Sequence, residues 1–140
     1  GRYMIRDIER IAAARGIVFH MPQVFPANSI TAARIALVGA EEGWIAGFSK
    51  SLFKLQFAEA GSISDEAQIR RCLSLLSVDV DAVFERSRTP VIKERLRAET
   101  EAAGALGLFG APSFVTADGE VFWGDDRLEM ALAWKGRPPV

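Results

Sequence analysis

The chain has 140 residues, 49% hydrophobic and 25% charged, the balance of one soluble domain with a packed core, and its formal net charge of -1 with dispersed basic residues leaves no electrostatic footprint for nucleic acid or an acidic membrane face. One cysteine, Cys72, and one histidine, His20, exclude an internal disulfide and a zinc site built from thiolates and imidazoles. No apolar run approaches the roughly 18 residues of a membrane span, and the opening Gly1 to Arg6 is charged where a signal peptide is apolar, which points to a cytoplasmic protein that meets small molecules or other subunits.

Met4, Ile5, Ile8, Ile11 and Ala12 fall at helical spacing with Arg6, Glu9 and Arg10 between them, and Gly16 follows as a stop, so the first element is an amphipathic helix. Helical periodicity begins at once after Gly1 with no leading loop or cap, as expected of a chain cut at its N-terminus. Pro22 and Pro26 forbid a regular helix between Ile17 and Asn28, so that stretch is an extended connector carrying Val18, Phe19, Met21, Val24 and Phe25. Asn28 or Ser29 can cap a helix through Ile30, Ala33, Ile35, Ala36, Leu37 and Val38, apolar nearly all round and so expected to be buried. After Gly43, Trp44, Ile45, Phe48, Leu52, Phe53, Leu55 and Phe57 continue the pattern with Lys50 and Lys54 as an exposed stripe, and Gly61 is expected to end it.

Ser64, followed by Asp65 and Glu66, predicts a capped helix start, because a hydroxyl accepts from free N–H groups and acids complement the positive end of the dipole. Ile69, Cys72, Leu73 and Leu76 point inward from it. Asp79 predicts the cap of a short helix through Val83 and Phe84. Thr89-Pro90 predicts a third start, with proline where its missing N–H is not needed, and the helix runs to about Ala105.

Glycines and Pro112 then break the period. Ser113 to Thr116 and Glu120 to Trp123 predict a hairpin turned at Ala117-Asp118-Gly119. Asp126 and Glu129 have capping-box spacing, and Leu128, Ala131, Leu132 and Trp134 line a last helix stopped by Gly136 and Pro138. A lone two-stranded hairpin is marginal in water, so further strands are expected beside these two, upstream of Gly1 or on another chain.

Four segments taken in order, Gly1 to Ile8, Phe19-His20-Met21-Pro22 with Phe25-Pro26-Ala27-Asn28, Phe109 to Phe114, and Phe122 to Glu129, resemble the 2-hydroxychromene-2-carboxylate isomerase family, which belongs with the kappa-class glutathione transferases and the DsbA-like group. The resemblance covers nearly the whole chain. It implies an α/β fold of thioredoxin-like type with an all-helical insertion, residues 1–104 being the insertion and 105–140 the final ββα part of the thioredoxin domain. The family's first βαβ part, with the serine that positions the glutathione sulfur, precedes the point where this chain starts, so no catalytic residue is expected among residues 1–140, and this chain alone is expected to be inactive.

The resemblance also implies the ligand sites. Ala111-Pro112 resembles the cis-proline turn whose preceding residue pairs its backbone with the cysteinyl part of glutathione. Base rates alone favour trans, since only about 5–6% of X–Pro bonds are cis; the resemblance reverses that, and a strand-entry proline is the plain alternative. Gly124-Asp125-Asp126 is implied to take the γ-glutamyl end, with Asp126 on the ammonium and Asp125 replacing a small polar residue of some relatives; helix capping by Asp126 is the alternative, and both can hold. His20 lacks an identifiable partner and reads as a surface or interface residue. Cys72 reads as a buried small hydrophobe. Trp44, Phe48 and Phe53 read as core, although an isomerase of this family needs apolar walls for an aromatic substrate.

The function implied is glutathione-dependent interconversion of 2-hydroxychromene-2-carboxylate and trans-o-hydroxybenzylidenepyruvate in aromatic catabolism, in which the thiolate adds, the ring opens, a single bond rotates and the thiolate leaves. Glutathione is the cofactor, an aromatic small molecule the substrate, and a homodimer the assembly implied, with domain swapping at exposed sheet edges as a second route. The alternatives are a kappa-like glutathione transferase, a DsbA-like thiol–disulfide oxidoreductase, and a non-catalytic helical binding module.

Overall fold

In the computed structural model, which describes residues 2–136, helices come first and a hairpin late, and the chain divides into two compact units between Leu96 and Arg97. The first unit opens with α1 (Arg2–Ala14), stopped by a turn in which Gly16 has φ +65°, a conformation that costs glycine nothing. Residues 17–29 form no regular element, as the two prolines require. Helices α2 (Ile30–Glu42) and α3 (Ile45–Phe57) make a hairpin across Gly43, which takes φ +85°; the N–H groups of Gly43 and Trp44 both donate to the Gly39 carbonyl. Then come α4 (Glu66–Ser74), α5 (Val80–Ser87) and α6 (Pro90–Ala105), whose course crosses the division between the units.

The core of this unit lies where α2, α3, α4 and α5 meet. Ile35, Phe48, Leu55, Ile69, Leu73 and Phe84 are its largest closed side chains, and Cys72 sits among them. Trp44 meets Phe48 edge-on at 5.8 Å between ring centroids. Between α3 and α4 the backbone is held by side-chain amides: Gln56 Oε1 accepts from the Ile63 N–H at 3.0 Å and Gln68 Oε1 from the Ser62 N–H at 3.0 Å. Gly61 fits there because an added Cβ would lie 2.3 Å from Leu55 Cδ1 and 2.6 Å from Gln68 Oε1. Outside the core, Arg86 pairs with Glu41 and Glu42, and Arg95 with Glu41 at 2.5 Å.

In the second unit, β1 (Ser113–Val115) and β2 (Val121–Trp123) pair antiparallel with Ser113 opposite Trp123 and Phe114 opposite Phe122. The Thr116 N–H donates to the Glu120 carbonyl at 3.0 Å, and Gly119 turns the chain at φ +82°. A 3₁₀ turn (Asp125–Arg127) leads into α7 (Leu128–Ala133). Phe122 is buried and meets Trp134 edge-on at 5.6 Å, while the indole N–H of Trp134 donates to Asp118 at 3.0 Å. No described helix is long and apolar enough to cross a membrane.

The mostly helical content with one small sheet agrees with the α/β fold class expected. Several local expectations are corrected. Asp65, not Ser64, caps α4, accepting from the Ala67 N–H at 2.8 Å, while the Ser64 hydroxyl donates to the Asn28 carbonyl. Of the two caps offered for α2, Asn28 bonds the first turn, accepting from the Ile30 N–H at 3.1 Å, while Ser29 holds the N-cap position with no side-chain bond of its own. Helix α3 stops at Phe57, four residues before Gly61, because the chain must turn there to bring the amide-pinned connector back to α4. Helix α2 is not buried all round: Ala32, Ile35, Val38 and Gly39 are buried, but Ile30 is 51% exposed. The capping box of Asp126 and Glu129 does not form, since the 3₁₀ turn occupies that position, Arg127 stands at the N-cap of α7, and the Asp126 carboxylate pairs with the Arg127 guanidinium at 2.8 Å. Helix α7 ends at Ala133, three residues before Gly136, which takes φ +101°, whereas Pro138 and Gly1 lie outside the described residues. The caps at Asp79 and Thr89 form as expected, accepting from Ala82 N–H at 3.1 Å and Ile92 N–H at 3.4 Å.

Candidate functional site

The residues singled out near the C-terminus converge on one end of the hairpin. Because Ser113 opposes Trp123, the residues flanking them, Pro112 and Gly124, face each other, and the Gly124 N–H donates to the Pro112 carbonyl at 3.0 Å. That bond draws Ala111-Pro112 and Gly124-Asp125-Asp126 together. The Ala111–Pro112 peptide is cis, as expected from the resemblance, and a second cis bond, Phe25–Pro26, was not foreseen. Ala111 is exposed, and among the described residues neither its N–H nor its C=O has a hydrogen-bond partner.

Two glycines make this end possible. At Gly110 an added Cβ would lie 2.4 Å from Trp123 Nε1, so the indole packs directly on the backbone, and Phe109 covers the same ring at 5.1 Å between centroids. Gly124 has φ +118° and ψ 150°, a region that side chains rarely adopt, and its Cβ would lie 2.6 Å from Asp126 Oδ1. Asp125 and Asp126 are exposed; Asp126 uses Oδ2 for Arg127 and turns Oδ1 toward Gly124. The arrangement offers an extended peptide one backbone donor and one acceptor, with carboxylates nearby for a cation.

The first unit contains an apolar cavity of about 590 Å³, within the range of about 300–1,000 Å³ usual for small-molecule sites. It is walled by α1 through Met4 and Ile8, by the connector through Phe19 and Phe25, and by α3 through Phe53 and Phe57. The α1 stripe read from sequence therefore does not enter the core: Met4 is 53% exposed and only Ala12 is buried. Phe57 is the hinge of the aromatic wall, stacked on Phe19 at 6.1 Å and Phe53 at 6.4 Å, with Phe25 edge-on at 6.4 Å. The His20 N–H anchors the connector on the Phe57 carbonyl at 2.7 Å. Among the described residues that line the cavity, Lys54 is the one that carries a charge. Sequence reading passed over the cavity, although four phenylalanines at 19, 25, 53 and 57 were its signal.

The three aromatics read as core divide. Phe48 is fully buried and Trp44 packs on the core, but Phe53 is 65% exposed and belongs to the cavity wall. His20 is exposed, as expected of a connector histidine. Cys72 is buried, and that burial pushes its thiol above the ordinary range, as befits a small core side chain. Among the described residues no three His, Cys, Asp or Glu side chains converge as a metal site.

Comparison with known proteins gives the family and the fold. A family model described as a DsbA-like thioredoxin domain matches residues 1–133. A 2-hydroxychromene-2-carboxylate isomerase from Sphingobium xenophagum is 27% identical over 129 residues, covering 92% of this chain and 65% of that protein. A solved structure of a 2-hydroxychromene-2-carboxylate isomerase superposes with a TM-score of 0.81 at 25% identity, over 94% of this chain and 64% of that one. The chain thus spans just under two thirds of the length of these relatives.

Proposed function

The chain belongs to the DsbA-like thioredoxin-domain family, and from that premise we propose that it serves in a glutathione-dependent isomerase interconverting 2-hydroxychromene-2-carboxylate and trans-o-hydroxybenzylidenepyruvate in aromatic catabolism. The observation that carries this reading is the exposed Ala111 peptide, which has no hydrogen-bond partner among the described residues and is held beside Gly124 by the 3.0 Å bond to Pro112. Glutathione fits these groups. Its cysteinyl residue needs one backbone donor and one acceptor, which Ala111 offers, and its γ-glutamyl ammonium needs a carboxylate, which Asp126 presents with Asp125 beside it. The absence of a side chain at Gly124 keeps the approach open.

When bound, glutathione would supply a thiolate nucleophile for the isomerisation. The share of residues 111–126 in that chemistry is to bind and orient: Ala111 fixes the cysteinyl backbone, and Asp126 holds the ammonium in competition with Arg127. We place the group that activates the thiol in the part of the relatives' length that this chain does not span. The assembly proposed is a cytoplasmic homodimer.

Calorimetry with glutathione on the 140-residue chain, beside a polypeptide restored to the relatives' full length, tests the reading. Binding and chromene isomerisation by the longer form support it. Absence of glutathione binding by both forms overturns it.

A further inference from the structure

The cavity against α1 is almost wholly apolar, yet the substrate class just proposed carries a carboxylate. An anion enters such a cavity only if a counter-charge meets it at the wall, because an unpaired charge loses its hydration without return. Among the described lining residues only Lys54 carries a charge. It stands on α3 between the cavity residues Phe53 and Phe57, with its side chain 72% exposed at the rim and its Nζ 3.2 Å from Glu59. Glu59 is shared: its other oxygen holds Arg71 at 3.0 Å. If Lys54 turns away, Glu59 keeps a cationic partner, so the move leaves no carboxylate unpaired.

We propose that Lys54 is a specificity-determining residue that selects fused-ring aromatic carboxylates for the apolar cavity, exchanging Glu59 for the ligand carboxylate while Phe19, Phe25, Phe53 and Phe57 hold the rings. The substrate class rests on the isomerase reading; the cavity and its single cation do not.

The chain's methionines provide the readout, since Met4 and Met21 line the cavity whereas Met130 belongs to α7. With ¹³C-methyl methionine, titration with chromone-2-carboxylate should shift Met4 and Met21 and leave Met130 in place. At low salt the carboxylate should bind about two- to fivefold more tightly than neutral chromone, the range of an exposed ion pair. Lys54→Gln should erase that preference without changing chromone affinity, and Lys54→Arg should retain it. A preference that survives in Lys54→Gln, no preference in the native chain, or shifts confined to Met130 would each overturn the proposal. Glutathione takes no part in this assay, so a failure here leaves the isomerase reading standing, and a full-length form that neither binds glutathione nor isomerises leaves the Lys54 result intact.

Discussion

Replacing Gly39 by alanine sets two opposed effects of known size against each other. Gly39 is interior to α2, where alanine is favoured over glycine by about 0.8–1.0 kcal/mol. The new Cβ, however, would lie 2.6 Å from Trp44 Cε3 and Cζ3 and 3.2 Å from the Ile45 Cα. The ring must retreat by about 1 Å to reach ordinary contact, and the backbone contact limits any relief from a shift of the helix. A displaced Trp44 loses its edge-on contact with Phe48, about 0.5–1.5 kcal/mol, and part of the burial of its ring, about 1–2 kcal/mol. The steric loss outweighs the propensity gain, and the variant should be less stable by about 0.5–2.5 kcal/mol. Gly104, in α6, is the control: an added Cβ there meets nothing within 4 Å, so Gly104→Ala should be neutral or stabilising by up to about 1 kcal/mol. Urea unfolding followed by circular dichroism at 222 nm measures both. A Gly39→Ala protein as stable as the native chain would refute the close seating of the indole on α2.

Gln56→Leu removes the acceptor of the Ile63 N–H and should destabilise by about 1–3 kcal/mol, with faster hydrogen exchange at Ile63 as the local sign. The Asp65 carboxyl is held below its ordinary range by the Gln68 side-chain amide first and then by the Ala67 and Gln68 N–H groups. Its contribution is therefore complete above the unfolded value of about 3.9 and is lost as pH falls through the lowered folded value, so Asp65→Asn should flatten the loss of stability below roughly pH 4. Equal acid sensitivity of both proteins would refute that cause. Gly124→Ala forces a side chain into φ +118° and against Asp126, and should cost the hairpin about 1–3 kcal/mol. In the full-length form it should also weaken glutathione binding; native-like affinity would contradict an approach past Gly124.

How far the fold was legible from sequence is seen at particular residues. Asp79 and Thr89-Pro90 announced their helices because a cap acts within three residues, and the antiparallel hairpin was announced by Gly119 and its flanking β-prone runs. Ser64 and Asp65 are both good caps, and the choice of Asp65 came from Asn28, 36 residues away, whose carbonyl accepts from the Ser64 hydroxyl. Asp126 and Glu129 had the right spacing for a capping box, but the return from β2 at Gly124 enters through a 3₁₀ turn that removes the frame a box requires. The candidate ligand residues were found by resemblance, and their meeting at one end of the hairpin follows from strand register.

Phe48 and Phe53 state the limit most sharply. They lie on one helix, five residues and so about 140° apart on its surface, and periodicity marks both as apolar. One is fully buried and the other 65% exposed on a cavity wall. Sequence by itself determined the starts of α5 and α6, which residues are apolar and the turn at Gly119, because those are decided by neighbours within about four positions. Only the tertiary structure decided which apolar face meets the core and which is left to line a cavity with Lys54 at its rim, because burial depends on partners brought together from far along the chain.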